Sequence, residues 1–143
     1  MFDALKPGGR VCVEQCGHGD LQELHDVCLA SVEAMGLGGR FAGWRLEDHD
    51  YYVPRPEELE ETLAAVGFED IVVHHEMFVY ETDLSYSGIY EAFLASSLHR
   101  YYDVIADHTT CAQFRERVRQ TFRTGEAHAH AHRLIVTARK PVE

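Results

Sequence analysis

Hydrophobic positions recur along this chain with two different periods, about two residues and about three and a half, and each change of period marks a new element. Val11 to Val13 form a branched run bounded by Lys6-Pro7-Gly8-Gly9 on one side and Gly17 on the other. Proline cannot continue a helix and paired glycines tolerate a left-handed backbone, so a helix end, a tight turn and a strand follow one another here. The run carries little polar interruption, which predicts an interior strand covered on both faces. From Asp20 to Met35, the residues Leu21, Leu24, Val27, Cys28, Ser31 and Val32 recur at three- and four-residue steps. That spacing predicts an amphipathic helix, with Asp20 placed to cap it and Gly36 to end it.

The segment 38–53 has no clean period and gathers Phe41, Trp44, His49, Tyr51 and Tyr52 into an aromatic loop. After Pro54-Arg55-Pro56, two acidic residues open a short helix that Gly67 ends. From Phe68 to Tyr80 both alternating sets contain apolar side chains, which predicts a long, largely covered strand with a bend near His74-His75-Glu76. Residues 81–125 are long enough for two helices, the second striped by Phe114, Val118 and Phe122 among Arg115, Arg117, Arg119 and Arg123. A last strand is expected from Ala127 to Lys140.

These elements describe an α/β chain of 143 residues, expected to form a single domain over 1–143 with a helical insertion at 81–125. A formal net charge of −11 argues against nucleic-acid partners, which require a cationic footprint. No apolar run reaches the roughly eighteen residues of a membrane span, and no signal-peptide pattern opens the chain, so a cytoplasmic location is expected. Cys12, Cys16, Cys28 and Cys111 form no CxxC pair and read as small buried hydrophobes, not as metal or redox groups.

Two passages carry a family resemblance. Leu5-Lys6-Pro7-Gly8-Gly9-Arg10 followed by a strand resembles the turn before the fifth strand of S-adenosylmethionine-dependent methyltransferases with the Rossmann-like fold. The passage Tyr52-Val53-Pro54-Arg55-Pro56-Glu57-Glu58-Leu59, with Leu63 to Ile71 after it, is similar to that family's helix, turn and sixth strand. The resemblance covers nearly the whole chain but only the latter half of the family's domain. It implies a partial Rossmann-like fold: a three-stranded mixed sheet in the family's order fifth, seventh, sixth, with the Val11 and Ile71 strands parallel and the Ile135 strand antiparallel between them. Helices surround this sheet, and 81–125 forms an inserted lid.

The same resemblance implies the C-terminal, substrate-side part of a methyltransferase acting on a small molecule. The family grips S-adenosylmethionine through a glycine-rich loop after the first strand, and Gly8-Gly9 and Gly36-Gly38-Gly39 are placed as turns instead. No cofactor-binding residue is therefore assigned in this chain, and it is expected to be inactive alone. His18, just past the Val11 strand, is the candidate catalytic base; Glu14, Trp44, Tyr51 and Tyr90 are the candidates to line the acceptor pocket. One alternative is a non-catalytic ligand-binding or dimerisation module derived from such an enzyme. A second is a metal-binding domain using His128, His130 and His132, which share one strand face. Same-face neighbours on a strand stand about 6.5 Å apart, too far for one metal to take all three readily, so no metal ligand is assigned. An exposed Val11 edge would favour pairing with a second copy, so a homodimer through that edge is expected.

Overall fold

The computed structural model describes residues 2–48, 53–80, 87–124 and 128–142, without the side chains of 80, 87–95 and 129. In chain order the main elements are β1 (Arg10–Cys16), α1 (Gln22–Ala34), α2 (Pro56–Val66), β2 (Glu69–Tyr80), α3 (Ser87–Ile105), α4 (His108–Arg123) and β3 (Ala129–Arg139). They group into two compact units. The first comprises Met1–Asp20, Tyr52–Phe78 and His130–Glu143, and the second comprises Leu21–Tyr51 and Val79–Ala129. No described helix is long and apolar enough to cross a membrane.

The first unit is a three-stranded sheet with β3 between β1 and β2. β3 runs antiparallel to β1, from Arg10 opposite Arg139 to Cys16 opposite Arg133. Cross-strand side chains fix the direction of β2. Arg139 reaches Glu69 at 2.9 Å and Asp70 at 2.7 Å at one end, and His132 meets His75 at 3.1 Å toward the other. β2 therefore also runs opposite to β3, and in the same direction as β1.

One face of this sheet is covered. Leu134 and Val136 are buried beneath Leu59 of α2, with Leu63 and Val73 packed beside them, each burial worth roughly 1.5–3 kcal/mol. α2 begins at Arg55, whose backbone N–H donates to Glu58 Oε2 at 2.9 Å, and ends on Gly67 at φ 106°. Phe2 meets Phe68 edge-on at 4.8 Å, and Lys140 Nζ lies over the Phe2 ring at 4.7 Å while donating to the Phe2 and Leu5 carbonyls. These contacts pin the first residues to the end of the sheet. Gly8 takes φ 74° in the turn that leads into β1.

Three expectations about coverage are corrected here. β1 is not covered on both faces, because it is an edge strand with Arg10, Cys12 and Glu14 exposed. Cys12 is consequently not a buried hydrophobe, although Cys28 is. β2 is apolar by sequence yet largely uncovered, with Val72 59%, Met77 63%, Phe78 42% and Val79 49% exposed. Alternation records which side chains share a face; it does not record whether anything lies on that face.

The second unit is a helical cluster. Leu24, Cys28 and Val32 of α1 meet Leu98, Tyr101 and Ile105 of α3 and Phe114, Val118 and Phe122 of α4 in one core. The aromatic loop contributes two short 3-10 helices, Gly38–Phe41 and Leu46–Asp48, and Phe41 is buried in the same core. Asp20 is not the cap of α1. Leu21 takes that position at φ 58° with no side-chain cap, because Leu21 is drawn into the core and the Asp20 carboxylate has another partner.

Candidate functional site

The chemistry-bearing side chains of the first unit gather where β1 ends. The chain leaves β1 through Gly17-His18-Gly19-Asp20, and three backbone bonds fix this turn: Gly17 N–H to the His132 carbonyl at 2.8 Å, His18 N–H to the Pro54 carbonyl at 2.9 Å, and Asp20 N–H to the Gly17 carbonyl at 3.0 Å. The Asp20 carboxylate accepts the His132 backbone N–H at 2.8 Å. β1, β3 and the start of α2 thus converge on four consecutive residues.

Gly17 is required by a neighbouring side chain, and Gly19 by its own backbone conformation. A Cβ at position 17 would stand 2.9 Å from Leu134 Cγ, and a Cβ at position 19, where φ is 90°, would stand 3.4 Å from the His132 ring. A glycine cradle for a cofactor leaves its backbone N–H groups open to the ligand. Here the space at Gly17 is filled by Leu134, and the Gly17, His18 and Asp20 N–H groups already donate to protein carbonyls, so these residues do not fit an S-adenosylmethionine grip.

His18 is exposed, and its Nε2 lies 3.4 Å from Arg55 Nη2. A guanidinium only donates, so His18 Nε2 is the acceptor of that long contact and its ring proton is assigned to Nδ1. His132 and His75 form the second pair, with Nδ1 and Nε2 3.1 Å apart and the rings stacked at 5.2 Å. Cys16 offers no nucleophile. Burial first, then its hydrogen bond to Asp20, pushes the thiol pKa up to about 11, so it stays protonated at neutral pH.

The other candidates lie elsewhere. Glu14 is exposed and pairs with Arg133 at 3.3 Å, on the sheet face opposite the one α2 covers. Trp44 belongs to the second unit, where its ring packs at 4.9 Å from Tyr101 and 5.6 Å from Phe41. Tyr51 lies outside the described residues, and Tyr90 falls within α3 at a position whose side chain is outside them. Of the three histidines considered for a metal, His128 is exposed and lies before β3, which begins at Ala129 and not at Ala127 as expected, and His132 is engaged by His75. Among the described residues no group of three or more His, Cys, Asp or Glu is arranged to hold a metal ion. The arginines of α4 serve partly as ion-pair partners, Arg119 and Arg123 both reaching Glu116 at 3.7 and 4.0 Å.

The sequence marks His18 as a candidate base and His132 only as a candidate metal ligand; it assigns no role to Arg55, which lies beside His18, or to His75, which meets His132 across the strands. The signal was present in Gly17-x-Gly19 at a strand end, but the His75–His132 pairing depends on cross-strand register, which no local pattern encodes.

No family model matches this chain, and no curated protein matches it. Among solved structures, the chain is similar to Haemonchus contortus phospholethanolamine N-methyltransferase 2 in complex with phosphomonomethylethanolamine and S-adenosylhomocysteine. That likeness has a TM-score of 0.38 and 19% identity, covering 98% of this chain and 28% of that one.

Proposed function

We propose that this chain is the substrate-side part of an S-adenosylmethionine-dependent methyltransferase acting on a small molecule, with the cofactor gripped by residues that are not this chain's own. The observation that carries the reading is the sheet itself. β3 is inserted antiparallel between two strands that run the same way, and β1 and β2 are the two strands whose flanking motifs resemble the family's fifth and sixth.

On this reading the turn after β1 faces the acceptor, since ligands of open α/β sheets bind beyond the carboxyl ends of the strands. His18 holds an accessible imidazole nitrogen there, able to take the proton that an acceptor hydroxyl or amine gives up. Arg55, already beside that nitrogen, moves its guanidinium onto an acceptor carboxylate, phosphate or carbonyl oxygen and so orients it. When bound, the cofactor supplies an electrophilic methyl group; the side chains described here position the acceptor and accept its proton.

Equilibrium dialysis of the purified chain with labelled S-adenosylmethionine tests the division of labour. The expected result is no saturable binding by this chain alone. Saturable binding would show that the chain carries its own cofactor site and overturn the reading.

A further inference from the structure

We propose that His75 and His132 form a two-nitrogen clamp for a divalent transition-metal ion such as zinc, bridging β2 and β3. His75 Nε2 and His132 Nδ1 stand 3.1 Å apart, with the ring centroids at 5.2 Å and the ring planes 24° apart. That centroid spacing is close to the largest a nitrogen contact of this length allows, so each ring presents its nitrogen to the other. Imidazole nitrogens bind zinc at about 2.0–2.1 Å, which puts two of them about 2.9 Å apart on a right-angled edge and about 3.4 Å apart on a tetrahedral one. The observed spacing lies between those two edges. A small swing of the exposed His75 ring brings both lone pairs onto one ion.

Strand register achieves what spacing along one strand does not. His130 and His132, two steps apart on β3, stand about 6.5 Å apart, too far to share an ion readily. Same-face neighbours on adjacent strands approach within about 4.5–5.5 Å at Cβ. Val73 of β2 and Leu134 of β3 share the face that α2 covers, and His75 and His132 continue that face toward the turn after β1. His132 is held there by its backbone, whose N–H donates to the Asp20 carboxylate and whose carbonyl accepts from Gly17 N–H, each at 2.8 Å. Binding requires no proton loss from two neutral rings. One facing nitrogen carries the hydrogen of the present contact, and moving it to the other nitrogen of the same ring leaves both lone pairs available. Imidazole suits zinc, copper and nickel, whereas magnesium and calcium prefer oxygen ligands. Two nitrogens suffice to bridge the strands, with water completing the coordination on the side where His75 is exposed. The clamp is independent of the methyltransferase reading, since it uses only these two rings and the strands that carry them.

The test is isothermal titration calorimetry of the untagged, chelator-stripped chain with zinc chloride, and with magnesium chloride as the control ion. The wild type is expected to bind one zinc saturably and no magnesium, and its unfolding temperature should rise with zinc concentration. His75→Ala and His132→Gln should each raise the dissociation constant by at least about tenfold, the lower end of what losing a mere supporting partner of a metal ligand costs. The double variant His128→Ala/His130→Ala should bind zinc as the wild type does. Circular dichroism establishes that each variant folds; should His132→Gln fail to fold, the exposed position 75 decides the matter alone. Absence of saturable zinc binding by the wild type overturns the proposal. So does zinc binding that survives His75→Ala, binding that is lost with His128 and His130, or a zinc-induced rise in unfolding temperature that His75→Ala shares.

Discussion

His25 is the residue on which the pH response of the second unit turns. It is 2% exposed, with Nδ1 3.0 Å from the Tyr101 hydroxyl. Burial, and then the nearby Arg100 guanidinium, lower its pKa from 6.5 to about 4, against a smaller opposite pull from Asp26. The unfolded chain binds the extra proton between those two values, so stability is fully present above pH 6.5 and declines as pH falls toward 4. After allowance for solvent screening the loss is about 2 kcal/mol. Urea unfolding at pH 7 and pH 4.5 should show this drop in the wild type and a smaller one in His25→Gln; equal drops would contradict the assignment. A second residue-scale expectation concerns Ala106, held at φ 62° between α3 and α4. Glycine adopts that conformation without strain, so Ala106→Gly should leave stability unchanged or raise it by about 0.5–1 kcal/mol in denaturant titration.

At the scale of elements, β3 carries the sheet. Leu134 is fully buried under α2, whereas Val72 on β2 is 59% exposed. Leu134→Ala should cost roughly 2–5 kcal/mol by chemical denaturation, and Val72→Thr less than about 0.5 kcal/mol. Comparable costs would mean that the open face is covered in solution. The same pair of residues marks how far the sequence could be read. Element type was legible where the period was strong, as in the Phe114, Val118 and Phe122 stripe, all buried. Coverage was not, because Val72 and Leu134 look alike in sequence and differ only in which neighbour arrives by tertiary contact. At α1 the preference of aspartate for a cap lost to a competing demand, since Asp20 instead satisfies the His132 N–H arriving from β3. The position of His18 past a strand end was legible locally, whereas Arg55 and His132 reach that turn from distant segments and His75 meets His132 only through strand register.

For the whole molecule, the proposed function puts a small methyl acceptor at the end of β1 in the first unit and no cofactor grip on this chain's own residues. Its ingredients are an exposed imidazole, a guanidinium 3.4 Å away, and a turn whose Gly17 is closed by Leu134 and whose N–H groups at 17, 18 and 20 are already bonded. The most direct measurement is an amide-resolved magnetic resonance titration of the intact chain with a panel of small amines, phenols and carboxylic acids, set beside S-adenosylhomocysteine alone. The account predicts that at least one acceptor class shifts the amides of Gly17 to Asp20 and Arg55 in a saturable way, with the response weakened in His18→Ala, and that S-adenosylhomocysteine shifts none of them. Acceptors that leave those amides untouched, or saturable shifts there from S-adenosylhomocysteine by itself, would contradict it.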